Sequence, residues 1–123
     1  MKKLLYTILF LGLLSCKKEA PEQKIVFTID AVNNSIATGT NFPVAVTLTS
    51  AMPSQGIKIE IITVTQGSGV TLPQGAPYST KSAKNTIVIS GLPQQQYCTV
   101  TVKVTSNNTS TNSDIQIFTV VYK

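Results

Sequence analysis

The sequence predicts an all-β chain folded as an antiparallel two-layer sandwich of about seven strands. Apolar residues alternate with polar ones along most of its length, the period of a half-buried strand. β-branched residues fill those runs, and Gly, Pro, Asn and Ser break them at intervals of about 8–15 residues. No window combines helical spacing with helix-forming residues.

The elements follow in order. Ile25, Phe27 and Ile29 alternate with Val26, Thr28 and Asp30, a first strand closed by the turn residues Asn33-Asn34-Ser35. Gly39-Thr40-Asn41 introduces a second strand, in which Phe42, Val44, Val46 and Leu48 share one face. Met52-Pro53-Ser54-Gln55-Gly56 breaks the chain again. Ile57, Ile59 and Ile61 then face one side while Lys58 and Glu60 face the other, as far as Thr65. Gln66-Gly67-Ser68-Gly69 reads as a loop, and Val70-Thr71-Leu72 as a short edge strand. Pro73-Gln74-Gly75-Ala76-Pro77 forbids regular structure for a few residues, since proline has no N–H to donate. Thr86 to Ser90 is a strand, followed by Gly91-Leu92-Pro93 and a Gln94-Gln95-Gln96 turn. Cys98, Val100, Val102 and Val104 alternate with threonines and Lys103, the cleanest pattern in the chain. A polar loop from Ser106 to Ser113 precedes the last strand, Ile115 to Tyr122. The predicted core is Phe27, Ile29, Val44, Val46, Leu48, Ile57, Ile59, Ile61, Ile87, Ile89, Leu92, Val100, Val102 and Val104.

From Thr86 to Tyr122 the chain resembles a fibronectin type III or related immunoglobulin-like domain. The resemblance is carried by Ile87-Val88-Ile89-Ser90-Gly91-Leu92-Pro93 followed by Tyr97-Cys98. It implies an immunoglobulin-like sandwich. The chain departs from that pattern at Pro93, which directly follows Leu92, and at Cys98, which stands where the family has its buried Tyr. Either a bulge turns Tyr97 inward or Cys98 fills the pocket, and the strand parity favours Cys98. The family's buried Trp is missing, because the chain has none.

The N-terminal segment has a different character. Met1-Lys2-Lys3 leads an apolar run from Leu4 to Leu14, closed by Ser15-Cys16. The run is too short to span a bilayer, which needs about 20 apolar residues. Its basic start and short apolar middle match a secretory signal. With Cys following Leu-Leu-Ser, it resembles the signal peptide of a bacterial lipoprotein. This resemblance implies removal of residues 1–15 and lipidation of Cys16, through a thioether and usually an acylated amine. Two or three acyl chains make membrane binding effectively permanent, since each buried methylene contributes about 0.8 kcal/mol. Residues 16–24 read as the lipidated Cys and a flexible tether, and 25–123 as the sandwich domain. Lys17 directly after Cys16 resembles lipoproteins of the Bacteroidetes. This implies an outer-membrane location, with the periplasmic and surface faces both open.

Charge narrows the partners. The formal charge is +5, but from Ile25 onward five lysines stand against three carboxylates, a net of +2. There is no Arg, and the lysines are scattered along the chain, without the clustered Arg/Lys and interleaved aromatics of a nucleic-acid binder. With Cys16 lipidated, Cys98 has no disulfide partner. It reads as a buried, inert small hydrophobe.

Catalytic arrangements are sparse. Without His, neither Ser-His-Asp nor Cys-His chemistry is available, and His-containing metal sites are excluded. Asp30 and Asp114 lie at strand ends, where Asp commonly begins turns, and Glu60 projects to water, so a paired-carboxylate site is not expected. No metal and no cofactor beyond the lipid is expected, and the chain is not read as an enzyme. The candidate binding-loop residues are Tyr78, Lys81 and Lys84 on the irregular central segment, with Asn107 and Asn108 on the last hairpin. Tyr78 beside prolines is suited to stacking on a sugar or peptide, or to covering the sandwich's edge. The expected function is a lipid-anchored, non-catalytic binding or adhesion module of the cell envelope. Its partners would be the membrane, through the lipid, and an envelope protein or glycan. The alternative is a structural assembly subunit of an envelope or fimbrial complex, joined by β-strand augmentation through the last strand.

Overall fold

A computed structural model describes residues 22–123, so the signal segment and Cys16 lie outside the described residues. Nine strands form two sheets, and none of the described residues is helical. The first sheet has the order β1 (Phe27–Ile29), β3 (Phe42–Leu48), β7 (Lys84–Ile89). The second runs β2 (Ser35–Ala37), β9 (Ser113–Tyr122), β8 (Tyr97–Ser106), β4 (Ile57–Thr65), β5 (Thr71–Leu72), and β6 (Tyr78–Thr80) also pairs with β4. All strand pairings are antiparallel except that of β2 with the end of β9, which is parallel, as is the isolated bridge of Gln94 with Tyr122. The first edge of the sandwich is thereby split, with β1 on one sheet and β2 on the other. This is an immunoglobulin-like β-sandwich.

The pattern of alternation fixes which side chains meet between the sheets, because successive residues of a strand point to opposite faces. Cys98, Val100, Val102 and Val104 of β8 are fully buried, opposite Val44, Val46, Ile87 and Ile89 of the other sheet. Ile29 and Ile61, expected in the core, are only partly buried and pack against it. Ile25, Ala37, Phe118, Val120 and Val121, outside the expected core, are buried as well. The ambiguity at the start of β8 resolves by parity: Cys98 is 0 % exposed, while Tyr97 is 39 % exposed on the outer face.

Two of the nine strands fall where the sequence suggests loops. β2 begins at Ser35, directly after Asn34, whose left-handed φ of 62° turns the chain onto the second sheet. β6 lies within the segment expected to be irregular. Leu72 pairs with Thr63 and Tyr78 with Ile59, so the five residues Pro73 to Pro77 stand opposite only three of β4. The two prolines cannot donate to a ladder, and the segment bulges away.

Candidate functional site

Register places the two ends of the sandwich unambiguously. At one end lie the loops 49–56, 81–83 and 107–112, because Leu48 pairs with Phe27, Ile57 with both Ser106 and Thr80, and Thr105 with Ser113. At the other end lie 38–41, 66–70 and 91–96, beside the terminal Lys123.

The chain enters the domain at the first end and is held there by Asn112. The Asn112 Nδ2 donates to Glu22 Oε2 at 2.8 Å and to the Gln23 carbonyl at 3.0 Å. Its Oδ1 accepts from the Ile25 N–H at 2.9 Å. Ser106 Oγ donates to the other Glu22 oxygen at 2.8 Å, and the Gln23 side chain accepts from Ala51 N–H. The sequence assigned residues up to Lys24 to a flexible tether. Glu22 and Gln23 are instead fastened to the domain, since the hairpin supplies donors matched to their oxygens.

All five candidate binding residues lie in this half of the molecule. Asn107 and Asn108 bind loop to loop: Asn107 Nδ2 donates to Gln55 O at 3.1 Å, and Asn108 bonds both Gln55 N–H and Ser54 Oγ. Their polar groups brace the 49–56 loop. Lys81 and Lys84 are exposed, and Lys81 lies against Gly56.

Tyr78 lines an open cleft of about 200 Å³ between β4 and β7, with Ile59, Ile61, Ala76, Ile87 and Val88. Partial burial raises its phenol above the ordinary value. A larger cleft of about 430 Å³ lies where β1 gives way to β2, lined by Ile29, Val32, Gln116 and Ile117 among others. Sequence periodicity gave no sign of it, since it arises from the strand's change of sheet.

The groups able to do covalent or acid–base chemistry are kept apart. The Asp30 Oδ1 accepts from Ala45 N–H at 2.8 Å, and the Asp114 Oδ1 from Ile115 N–H at 2.9 Å. Glu60 pairs with Lys58 at 3.0 Å on the outer face of the second sheet. Cys98 is buried, and burial pushes its thiol up. Among the described residues no three His, Cys, Asp or Glu side chains cluster as metal ligands would.

Comparison with protein-family models, curated proteins and solved structures finds no match to this chain. Among the described residues, fold and surface together define a small immunoglobulin-like β-sandwich entered at one end, with clefts where β1 gives way to β2, between β4 and β7, and at the entry end beside Glu22 and Asn112.

Proposed function

We propose that this chain is a lipid-anchored, non-catalytic module of the cell envelope that presents an immunoglobulin-like domain to a protein or glycan partner. The observation that carries it is the fastening of Glu22 at one end of the sandwich. A lipid on Cys16 would hold that end toward the membrane and leave the loops 38–41, 66–70 and 91–96 facing away from it. Loops at the end of a rigid sandwich are suited to binding. Support for a non-catalytic role comes from Asp30, Glu60, Asp114 and Cys98, each engaged or buried and none beside another.

The test has two parts. Labelled fatty acid should enter the wild-type chain and not the Cys16→Ser variant, with the mature mass showing loss of residues 1–15. Binding to purified envelope glycans or to a partner isolated from outer membranes should fall on substitution in loops 66–70 and 91–96 and survive substitution of Asn107 and Asn108. An unmodified thiol at Cys16, or turnover of a substrate that is lost with any of the four groups above, would overturn the proposal.

A second reading has its own observation. The last strand, β9, is flanked by β8 on one side and by β2 at its end, whereas β7 is a terminal strand of the first sheet. Leu48 N–H donates to Ala83 O at 2.8 Å, which sets the parity of the β3–β7 ladder. The N–H and C=O groups of Thr86, Val88 and Ser90 therefore lie on the outer edge. Ser90 is satisfied by the Gln74 amide, which donates to its carbonyl and accepts from its N–H, each at 2.9 Å. That side chain stands in for one residue of a missing neighbouring strand. An assembly subunit joined by strand addition would use β7 at Thr86 and Val88, since β2 already pairs with Val120–Tyr122 of the last strand. Methylation of the Val88 amide by synthesis or semisynthesis should abolish assembly; assembly that survives it would dismiss this reading.

A further inference from the structure

We infer that the end of the sandwich where the chain enters is a lipid-facing surface, held against anionic headgroups by Lys24, Lys81 and Lys84. This rests on the lipid-anchor reading of Cys16 and goes beyond it, because an anchor alone leaves a domain free to tumble.

The length of chain outside the described residues sets the geometry. Because Glu22 is fastened to Ser106 and Asn112, only six residue steps separate it from Cys16. Fully extended, they reach at most about 20 Å. A domain on so short a leash keeps this end near the bilayer.

Charge then favours contact. Three lysines distant in sequence lie at this end: Lys24 precedes the fastened Ile25, Lys81 lies against Gly56, and Lys84 opens β7 opposite Thr47. All three are exposed. The loops 49–56, 81–83 and 107–112 that form this end contain no carboxylate. Of the nearby acids, Glu60 is paired with Lys58, the one ion pair among the described residues; Glu22 and Asp114 keep their charge within hydrogen bonds from neutral donors, and the three lysines outnumber them. The opposite end carries a single lysine side chain, Lys123. Positive groups near an anionic leaflet are attracted within about a Debye length, roughly 8–10 Å at ordinary salt. A leash of at most about 20 Å lets them come within that range. The serine, threonine and asparagine side chains of the three loops match a hydrated headgroup layer.

Lysine footprinting on the full lipidated chain tests this without altering the protein. The lipoprotein is reconstituted into vesicles of phosphatidylcholine alone, or of phosphatidylcholine with phosphatidylglycerol, and acylated at its amines. Site-by-site mass spectrometry gives the rates. On the anionic vesicles, Lys24, Lys81 and Lys84 should react several-fold more slowly than on the neutral ones, while Lys123 is unchanged. Raised salt should remove the difference. In the Lys81→Glu/Lys84→Glu variant, protection of Lys24 should be lost while the protein still floats with the vesicles. Uniform rates at both ends in a protein that floats would overturn the surface and leave the anchor intact. A chain that does not float at all would overturn both.

Discussion

Asn112 and Glu22 are joined side chain to side chain across ninety positions of sequence, the Nδ2 of one donating to the Oε2 of the other at 2.8 Å. One amide thus locks the entering chain to the last hairpin. The Asn112→Ala variant removes this bond together with those to Gln23 O and Ile25 N–H. It should lose about 2–3 kcal/mol, counting one charged and two neutral partners left in a part-buried site. Urea unfolding measures the loss. Trypsin cleavage after Lys24 under native conditions should accelerate in the variant, and an unchanged rate would show that other contacts hold the segment.

Gly56 and Gly67 share nearly the same left-handed backbone, φ of 84° and 83°, but differ in surroundings. A Cβ on Gly56 would meet the Thr80 carbonyl oxygen at 2.6 Å and Lys81 Cγ at 3.0 Å, while one on Gly67 meets nothing within 4 Å. Gly67→Ala should cost about 1–2 kcal/mol from backbone conformation alone. Gly56→Ala should cost a further 1–3 kcal/mol or so, because the obstructing atom is backbone. Equal losses in thermal unfolding would refute the packing difference.

Thr63 faces the core from β4 fully buried, and its hydroxyl has no partner among the described residues. A hydroxyl shut away from water without a hydrogen bond is a net cost. Thr63→Val keeps the shape and the β-branch and should stabilise the domain by about 1 kcal/mol. A destabilised variant would mean that the hydroxyl is hydrogen-bonded after all.

Burial raises the Cys98 thiol above its ordinary value of 9.0. The folded state therefore holds this proton more tightly than the unfolded one. Below about pH 9 both states are protonated and the site adds no pH dependence. As pH climbs from there toward the folded value, the unfolded chain ionises first and stability falls. Stability measured from pH 7 to 10 should decline more steeply for wild type than for Cys98→Ala. Parallel profiles would contradict the shift. In the folded protein the thiol should also react with thiol reagents only at the rate of opening.

Much of the sandwich is written in short-range pattern. The alternation of Val100, Val102 and Val104 with Thr99, Thr101 and Lys103 makes β8 a strand with one buried face, which needs no distant information. Fourteen core positions were expected from such parity; twelve are buried, and Ile29 and Ile61 lie partly exposed beside them. The same parity put Cys98 inside and Tyr97 outside. The lipid-anchor reading also comes from sequence, because Ser15-Cys16 after an apolar run is a local signal.

β2 and β6, three residues each and set among turn residues and prolines, emerge only from their pairing with β9 and β4. Nor does periodicity reveal partners distant along the chain. That Asn112 would fasten Glu22, that Asn107 and Asn108 would brace the 49–56 loop, and that scattered lysines would gather at one end are consequences of register. Alternation determines which face of each strand is buried, a matter of neighbouring residues. Which loops meet, and which charges face the same way, depends on how strands pair across the whole chain, and only the folded sheets decide that.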